Sequence, residues 1–250
     1  MASLKPLGYV LYDGPSAYDG EPVITILLPP KNGNVKIGRM WQTFHLLRDV
    51  KPTDALKTGQ DSSVCGECPL RPITARAAAT ALCYVNVGQS VGSIWRAYQR
   101  GRYELITPEA ARELLQGESL RAGAYGDPAS MPYPIWVRLG MGSGEFQNTG
   151  YIHGWLLDNF DSRLTEFMMV SLDPISEKLH ADKLPKNART YRVLADGEQP
   201  RSNEILCPYY THGTKCADCG LCAGSQQQAK SIVAPDHGPT SKFRRVARAA

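Results

Sequence analysis

The sequence predicts an α/β fold built on a largely parallel sheet. From residue 120 onward, short apolar runs alternate with polar turns and segments of helical pattern, which is typical of strand-helix-strand units. Polar residues follow several of these runs, and parallel α/β folds place functional groups at the carboxyl ends of their strands. The chain has 250 residues, 42% of them hydrophobic, which is enough for one large domain with a buried core. We therefore expect a parallel sheet with covered faces, either open or closed.

The first 60 residues favour β-structure and are interpreted as an extension packed on the core. Residues 9–12 and 23–28 are short β-branched, aromatic and aliphatic runs separated by Gly and Pro, and they predict a hairpin. Residues 31–34 are a strong turn sequence, and a further strand is expected within 35–47.

The remaining elements follow from local pattern. Thr107 before Pro108, with Glu109 in the first turn, marks the start of a helix at 108–116. Other helices are predicted at 91–99, 133–139 and 175–183. Strands are predicted at 82–87, 120–125, 149–153, 167–172, 190–194 and 231–234.

The strongest chemical signal is a group of four cysteines near the C-terminal end, within a cysteine-rich segment at 207–222. Four thiolates within 16 residues supply the ligands that a [4Fe-4S] cluster or a tetrahedral zinc ion needs. The compact two-residue gaps resemble ferredoxin loops more than zinc knuckles, so we favour iron-sulfur and keep zinc as the alternative. The four are Cys207, Cys216, Cys219 and Cys222.

A second group, Cys65, Cys68 and Cys83, offers three thiolates. Three protein ligands leave one coordination position open for substrate, cofactor or water. Cys83 also lies in an apolar run, where an isolated cysteine is often a small buried hydrophobe. The alternative is one mixed site that combines cysteines of both groups and leaves the others free. One or two clusters are therefore expected.

Several motifs together carry a family resemblance over residues 60 to 240. They are Cys65–Arg71, 83–86, 121–128, 150–155, 171–173 and 214–222. In combination they resemble a family of cysteine-rich proteins encoded by phages and plasmids, to which no reaction is assigned. The resemblance implies a viral or plasmid protein acting in the host cytoplasm.

More distantly, the chain resembles the radical S-adenosylmethionine superfamily. In those α/β barrels, three cysteines hold a [4Fe-4S] cluster with one open iron, and a strand ending in Gly-Gly-Glu-Pro binds the cofactor. Here Tyr125, Gly126, Asp127 and Pro128 end a strand about 40 residues after Cys83. The superfamily's cysteines are spaced Cys-x3-Cys-x2-Cys, and its motif has a second glycine and a Glu, both of which differ in this chain.

The resemblance implies a TIM-barrel-like or partial (β/α) barrel over 61–240, with the N-terminal hairpin extension at 1–60, and possible binding of S-adenosylmethionine. The four-cysteine group is similar to that superfamily's auxiliary clusters. The function that it implies is redox or radical chemistry on a small-molecule substrate or with a redox partner. The alternative to an enzyme of this fold is a catalytically inert protein that keeps its cluster as a redox sensor or as a structural element.

Polar side chains at strand ends are candidate acid-base or ligand-binding groups. Asp127, His153 and Asp173 are the catalytic candidates, and Asp236 and His237 are further members of the same expected pocket. Asp before Pro also commonly caps a turn, so a structural role is the alternative for Asp127 and Asp173.

Two arginines lie within predicted strands, where a charge is costly unless it is paired. Arg121 and Arg192 are expected either to face a cluster or an anionic ligand, or to pair with nearby carboxylates.

Charge and hydropathy limit the partners. The formal net charge is +4, and a basic tail at 241–250 contains Lys242, Arg244, Arg245 and Arg248. Such a tail is compatible with nucleic-acid phosphates, so a zinc-stabilised nucleic-acid-binding or interaction protein is the alternative function. The sequence has no apolar run long enough for a membrane span and no signal-peptide core, so we expect a cytoplasmic protein with reduced cysteines.

Overall fold

The computed structural model describes residues 6–31, 34–71, 83, 85–172, 177, 180–195 and 197–235. They form a mixed α/β fold with one ten-stranded sheet. The strands are β1 (Tyr9–Pro15), β2 (Pro22–Leu28), β3 (Trp41–Leu47), β4 (Glu104–Leu105), β5 (Ser119–Tyr125), β6 (Gln147–Ile152), β7 (Met169–Ser171), β8 (Thr190–Val193), β9 (Glu204–Leu206) and β10 (Ser231–Ala234).

Short helices connect the strands. The helices are α1 (Pro52–Thr58), α2 (Ser62–Cys65), α3 (Gly92–Gln99), α4 (Pro108–Leu115), α5 (Tyr133–Leu139), α6 (Pro208–His212) and α7 (Cys216–Cys219), with a π-helical turn at Val87–Val91 before α3. The Thr107 hydroxyl accepts a hydrogen bond from the backbone N–H of Ala110, which confirms the predicted start of α4. None of the described helices combines the length and apolar character required to span a bilayer.

The sheet has the order β4-β1-β2-β3-β5-β6-β7-β8-β10-β9. Strands β1, β2 and β3 pair antiparallel, whereas the seven other pairings are parallel. Because β3 pairs directly with β5, the N-terminal strands belong to the same sheet as the later parallel strands. Within the described residues, β4 and β9 are edge strands that do not pair with each other, so closure into a barrel stays a prediction.

Different helices pack on the two faces of the sheet. Leu27, Leu120 and Ile152 point to one face, where α4 and α5 pack on them around Trp136. The alternate side chains of β2 and β3, among them Ile24, Ile26 and Leu46, point to the other face, where the π-turn and α3 cover them. Strand alternation places Arg121 on this second face, together with Thr149 and Tyr151 of β6. The cysteine-rich segment packs on the same face, against Met169 and Ile232.

Most predicted elements are confirmed, with boundaries that move by a few residues. The hairpin of β1 and β2, helices α3 to α5, and strands β5 to β8 and β10 all form where expected. The strand predicted at 82–87 is wrong for the described part, because Cys83, Val85 and Asn86 are irregular and Val87 begins the π-turn. Of the helix predicted at 175–183, the structure describes five residues: Glu177 and His180 are helical, and Ala181–Lys183 form a 3-10 turn.

Candidate metal centres

The N-terminal cysteine group forms around one tight loop. Helix α2 ends at Cys65, and Gly66 takes a positive φ of 57° that turns the chain out of the helix. The backbone N–H of Cys68 then donates to the Cys65 carbonyl at 3.3 Å. The N–H of Cys83 donates to the Leu70 carbonyl at 3.0 Å, which brings the third cysteine back to this loop.

The thiols of Cys68 and Cys83 act electrostatically on Cys65. Burial raises the pKa of the Cys65 thiol well above its usual value, and the nearby Cys68, Asp61 and Cys83 raise it further, whereas Arg71 lowers it. Cys83 itself is exposed, so it is not the small buried hydrophobe that its apolar run allowed. Crowded thiols that resist ionisation are stabilised as thiolates by a bound cation, because metal ligands must lose their protons.

A buried ion pair fixes the shape of this loop. Arg71 donates to both carboxylate oxygens of Asp61, at 2.8 and 2.7 Å, and both side chains are buried. The same guanidinium donates to the carbonyls of Gly66 and Gly59, each at 2.8 Å. Arg71 therefore ties the residues before α2 to the residues between the first two cysteines.

The loop after β5 lies directly beside Cys65. The backbone N–H of Asp127 donates to the Val64 carbonyl at 2.6 Å, and Gly126 has a φ of +73°. A Cβ at Gly126 would lie 2.7 Å from the His45 carbonyl oxygen, so only glycine fits there. Burial, followed by the proximity of Cys65, raises the pKa of Tyr125 far above its usual value. The structure thus brings residues 125–128 next to the three-cysteine loop.

Asp127 uses its carboxylate to hold backbone. One oxygen accepts from the N–H of His153 at 2.5 Å and of Gly154 at 2.7 Å, and the other accepts from Ala129 at 2.9 Å. Burial raises the pKa of this carboxyl, whereas the nearby His153 side chain and the three amides lower it. Asp127 and His153 are therefore neighbours at the ends of β5 and β6, and the Tyr18 hydroxyl faces the same carboxyl.

Three other candidate residues, Asp173, Asp236 and His237, lie outside the described residues, as does the basic tail. Their roles stay predictions. Arg192 is buried in β8 and paired with Glu204 and Glu198, which confirms the pairing alternative for that arginine.

The C-terminal cysteines converge on one cavity. Cys207 follows β9, Cys216 and Cys219 begin and end α7, and Cys222 follows three residues later. All four line a single cavity, together with Tyr151 and Tyr191 of the second sheet face and Tyr209 of α6. None of the seven cysteines forms a disulfide.

The second group has both thiol crowding and cationic neighbours. Burial raises the pKa of Cys222 to about 12; a hydrogen bond with Tyr151 lowers it, and the three other cysteines raise it. Burial also raises the pKa of Cys216, whereas Lys36 and Arg121 lower it. Arg121 thus acts electrostatically on Cys216, and the prediction that it faces a cluster or an anionic ligand stays a prediction.

Segments distant in sequence position this group. The backbone N–H of Cys216 donates to the Lys36 carbonyl at 3.0 Å, and the N–H of Gly150 donates to the Cys222 carbonyl at 3.2 Å. The Lys36 ammonium donates to the Tyr210 hydroxyl at 3.1 Å and lies over its ring. No sequence signal identified Lys36, because it lies 174 positions before Tyr210 of α6 and still further from Cys216 of α7.

The thiols are close but not in a finished coordination geometry. Within the described part of the chain, no three His, Cys, Asp or Glu side chains are arranged to hold a metal ion as they stand. The C-terminal cavity has a volume of about 20 Å³, little more than one water molecule needs. Either a single ion or a cluster would therefore require the thiols to reorient around it.

Comparison with known proteins adds no assignment, since no family model, curated protein or solved structure matches the chain.

Proposed function

We propose that this chain is an iron-sulfur protein, with one cluster on Cys207, Cys216, Cys219 and Cys222. The observation that carries the proposal is the convergence of all four side chains on one cavity, although they come from a loop, a helix and a second loop. Four thiolates complete the ligand set of a [4Fe-4S] cluster. Lys36 and Arg121 beside Cys216 offset part of the negative charge that four thiolates bring.

A second cluster is proposed on Cys65, Cys68 and Cys83. Cys68 and Cys83 raise the pKa of the Cys65 thiol. Cys65 lies beside residues 125–128, at the carboxyl end of a parallel strand. A three-thiolate cluster keeps one position for an external ligand, which we propose to be S-adenosylmethionine on a partial (β/α) barrel. Such a cluster supplies single electrons. The chain's contribution is to hold the ligand beside Tyr125 and Gly126 and to support that loop through Asp127.

Zinc is the second candidate, favoured by the small volume of the C-terminal cavity. A cavity of about 20 Å³ is nearer to the room for one ion than for a four-iron cube. Against zinc, a tetrahedral site with bonds of about 2.3 Å needs sulfurs about 3.8 Å apart, and no described side chains meet the requirement for a single ion. Elemental analysis separates the two metals.

The first experiment is purification of the full chain without oxygen. We expect a brown protein that absorbs at roughly 400 nm and holds about eight iron and eight sulfide per chain, the content of two cubes. Cys219→Ser and Cys68→Ser should each remove about half of the iron. Asp218→Ala and Glu67→Ala are the matched controls, because these exposed residues lie between the same cysteines, and they should leave the iron unchanged.

The outcomes discriminate between the functions. A colourless protein that holds zinc and no sulfide would refute the iron-sulfur proposal. If iron is present, incubating the reduced protein with S-adenosylmethionine should release 5′-deoxyadenosine, and Cys68→Ser should abolish the release. An iron-loaded protein that releases none, and whose electron paramagnetic resonance signal is insensitive to S-adenosylmethionine, is an electron carrier or an inert scaffold.

A further inference from the structure

Three arginines are buried in the described part of the chain, and they differ in their counter-charges. Arg71, Arg189 and Arg192 are 7%, 6% and 5% exposed. Arg71 pairs with Asp61, and Arg192 pairs with Glu204 and Glu198. Within the described residues, Arg189 has no carboxylate within ion-pair distance, and its buried Nε has no hydrogen-bond partner.

Arg189 instead holds the chain that leaves Cys222. Its Nη1 donates to the Ala223 carbonyl at 2.7 Å, and its Nη2 donates to the Lys230 carbonyl at 2.6 Å. Ala223 is the residue after Cys222, and it also forms a bridge with Met168. The guanidinium therefore lies immediately behind the fourth cysteine of the C-terminal group.

A buried guanidinium with carbonyl partners alone is costly, because carbonyl dipoles do not replace an opposite charge. Arg189 binds the carbonyl of the residue that follows Cys222, and all four C-terminal cysteines line one cavity. A metal-bound thiolate at Cys222 would carry a negative charge that offsets the charge of the guanidinium.

We infer that Arg189 is the internal counter-cation of the C-terminal cluster and raises its reduction potential. This inference rests on the proposed iron-sulfur function. If the four thiolates held a [4Fe-4S] cluster, one electron from dithionite would reduce one ferric ion to ferrous and change the total charge of the centre from −2 to −3. A fixed cation nearby favours the more negative state, because net charge and hydrogen bonding set the potentials of such clusters.

The test is a redox titration of the full, iron-loaded chain, followed by electron paramagnetic resonance. The signal that Cys219→Ser removes reports the C-terminal cluster, and the signal of the other cluster is the internal reference. Arg189→Gln removes the charge and should make reduction about tenfold less favourable, a shift of about −59 mV for one electron. Arg189→Lys keeps the charge and should keep the potential. Arg138→Gln, at an exposed arginine of α5 paired with Glu109, controls for net charge.

A purely structural role predicts something different. If Arg189 only held the loop, Arg189→Lys and Arg189→Gln would lose iron equally and the retained clusters would keep the wild-type potential; that result overturns the inference. Arg189→Met is a second charge-free variant. If both charge-free variants lose the cluster while Arg189→Lys keeps it at normal potential, the counter-cation role stands. Iron-free wild-type protein would instead refute the proposed function itself.

Discussion

At the scale of single residues, Asp127 shows how one carboxylate joins three pieces of backbone. The motif that surrounds it suggested a ligand-binding or acid-base role, and the alternative was a turn cap. In the structure, its oxygens accept from the amides of Ala129, His153 and Gly154. The carboxylate therefore connects the ends of β5 and β6, and any effect on a ligand passes through this scaffold.

Replacing Asp127 with Asn should destabilise the fold by about 3 kcal/mol, because the new amide group faces backbone N–H donors that then lack an acceptor. The measurement is the free energy of unfolding in urea. Asp161→Asn, at a partly exposed cap of a 3-10 turn, should cost about 1 kcal/mol or less. An Asp127→Asn variant that is as stable as wild type but inactive would show a direct role in the chemistry.

His45 provides a prediction about pH. Burial lowers its pKa to about 3, and its two ring nitrogens contact the hydroxyls of Thr25 and Thr43. The unfolded chain takes up this proton near pH 6.5, well before the folded chain does, so stability falls as the pH decreases from 6.5 towards 3.

Between pH 7 and pH 5, this residue should account for about 2 kcal/mol of lost stability. The test compares the wild type with His45→Gln, which lacks the titrating ring and should lose correspondingly less stability over the same interval. Equal losses in the two proteins would contradict the assignment of the pH dependence to His45.

At the scale of elements, the end of β5 is positioned by close backbone contact. Gly126 has no room for a side chain, because a Cβ would meet the backbone of His45 at 2.7 Å and the Val64 carbonyl at 3.2 Å. The strand, the neighbouring β3 and helix α2 therefore meet at one point beside Cys65. This contact, rather than the sequence of the motif, sets the distance between the loop and the cysteines.

Comparison of Gly126→Ala with Gly144→Ala distinguishes the cost of the close contact at Gly126 from the cost of backbone strain. Both glycines have positive φ, +73° and +81°, but nothing lies within 4 Å of a Cβ at Gly144. Gly144→Ala should cost about 1 to 2 kcal/mol for the left-handed backbone. Gly126→Ala should cost about 2 kcal/mol more, because the neighbouring backbone must move. Equal unfolding free energies of the two variants would show that the close packing at Gly126 contributes nothing.

At the scale of the whole molecule, the sheet joins the N-terminal strands to the parallel strands. The β3–β5 pairing and the shared core around Leu27 and Leu120 cross the boundary near residue 60 where the sequence suggested a separate extension. A continuous sheet whose core is shared by the N-terminal and later strands is expected to unfold cooperatively.

We expect the urea transition to be single, with the same midpoint for far-ultraviolet circular dichroism and for tryptophan fluorescence. Trp41→Phe removes the one tryptophan before residue 60 and leaves Trp95, Trp136 and Trp155, so its fluorescence reports on the later segments alone. Coincident midpoints of the two signals are the expected result in the wild type and in this variant. A fluorescence midpoint that differs from the circular-dichroism midpoint within either protein would mean that the N-terminal strands are an independent unit.

Local pattern was sufficient for most of the secondary structure. The Thr107–Pro108 cap, the apolar β-branched run of β2 and the turn residues after β5 all act within a few residues, and those elements form where expected. The strand predicted at 82–87 was wrong where it is described, since an apolar run does not distinguish a strand from irregular or helical chain. Strands β4 and β9 have two and three residues, too few for periodicity to reveal.

The sequence by itself determined the α/β class, most of the elements and the spacing of the cysteines along the chain. Only the tertiary structure decided which groups surround them: Arg71 with Asp61, Lys36 and Arg121 beside Cys216, and Arg189 behind Cys222. The physical reason is that local periodicity and spacing act along the chain. Charge compensation and close packing depend instead on strand order, which brings together residues that the sequence separates widely.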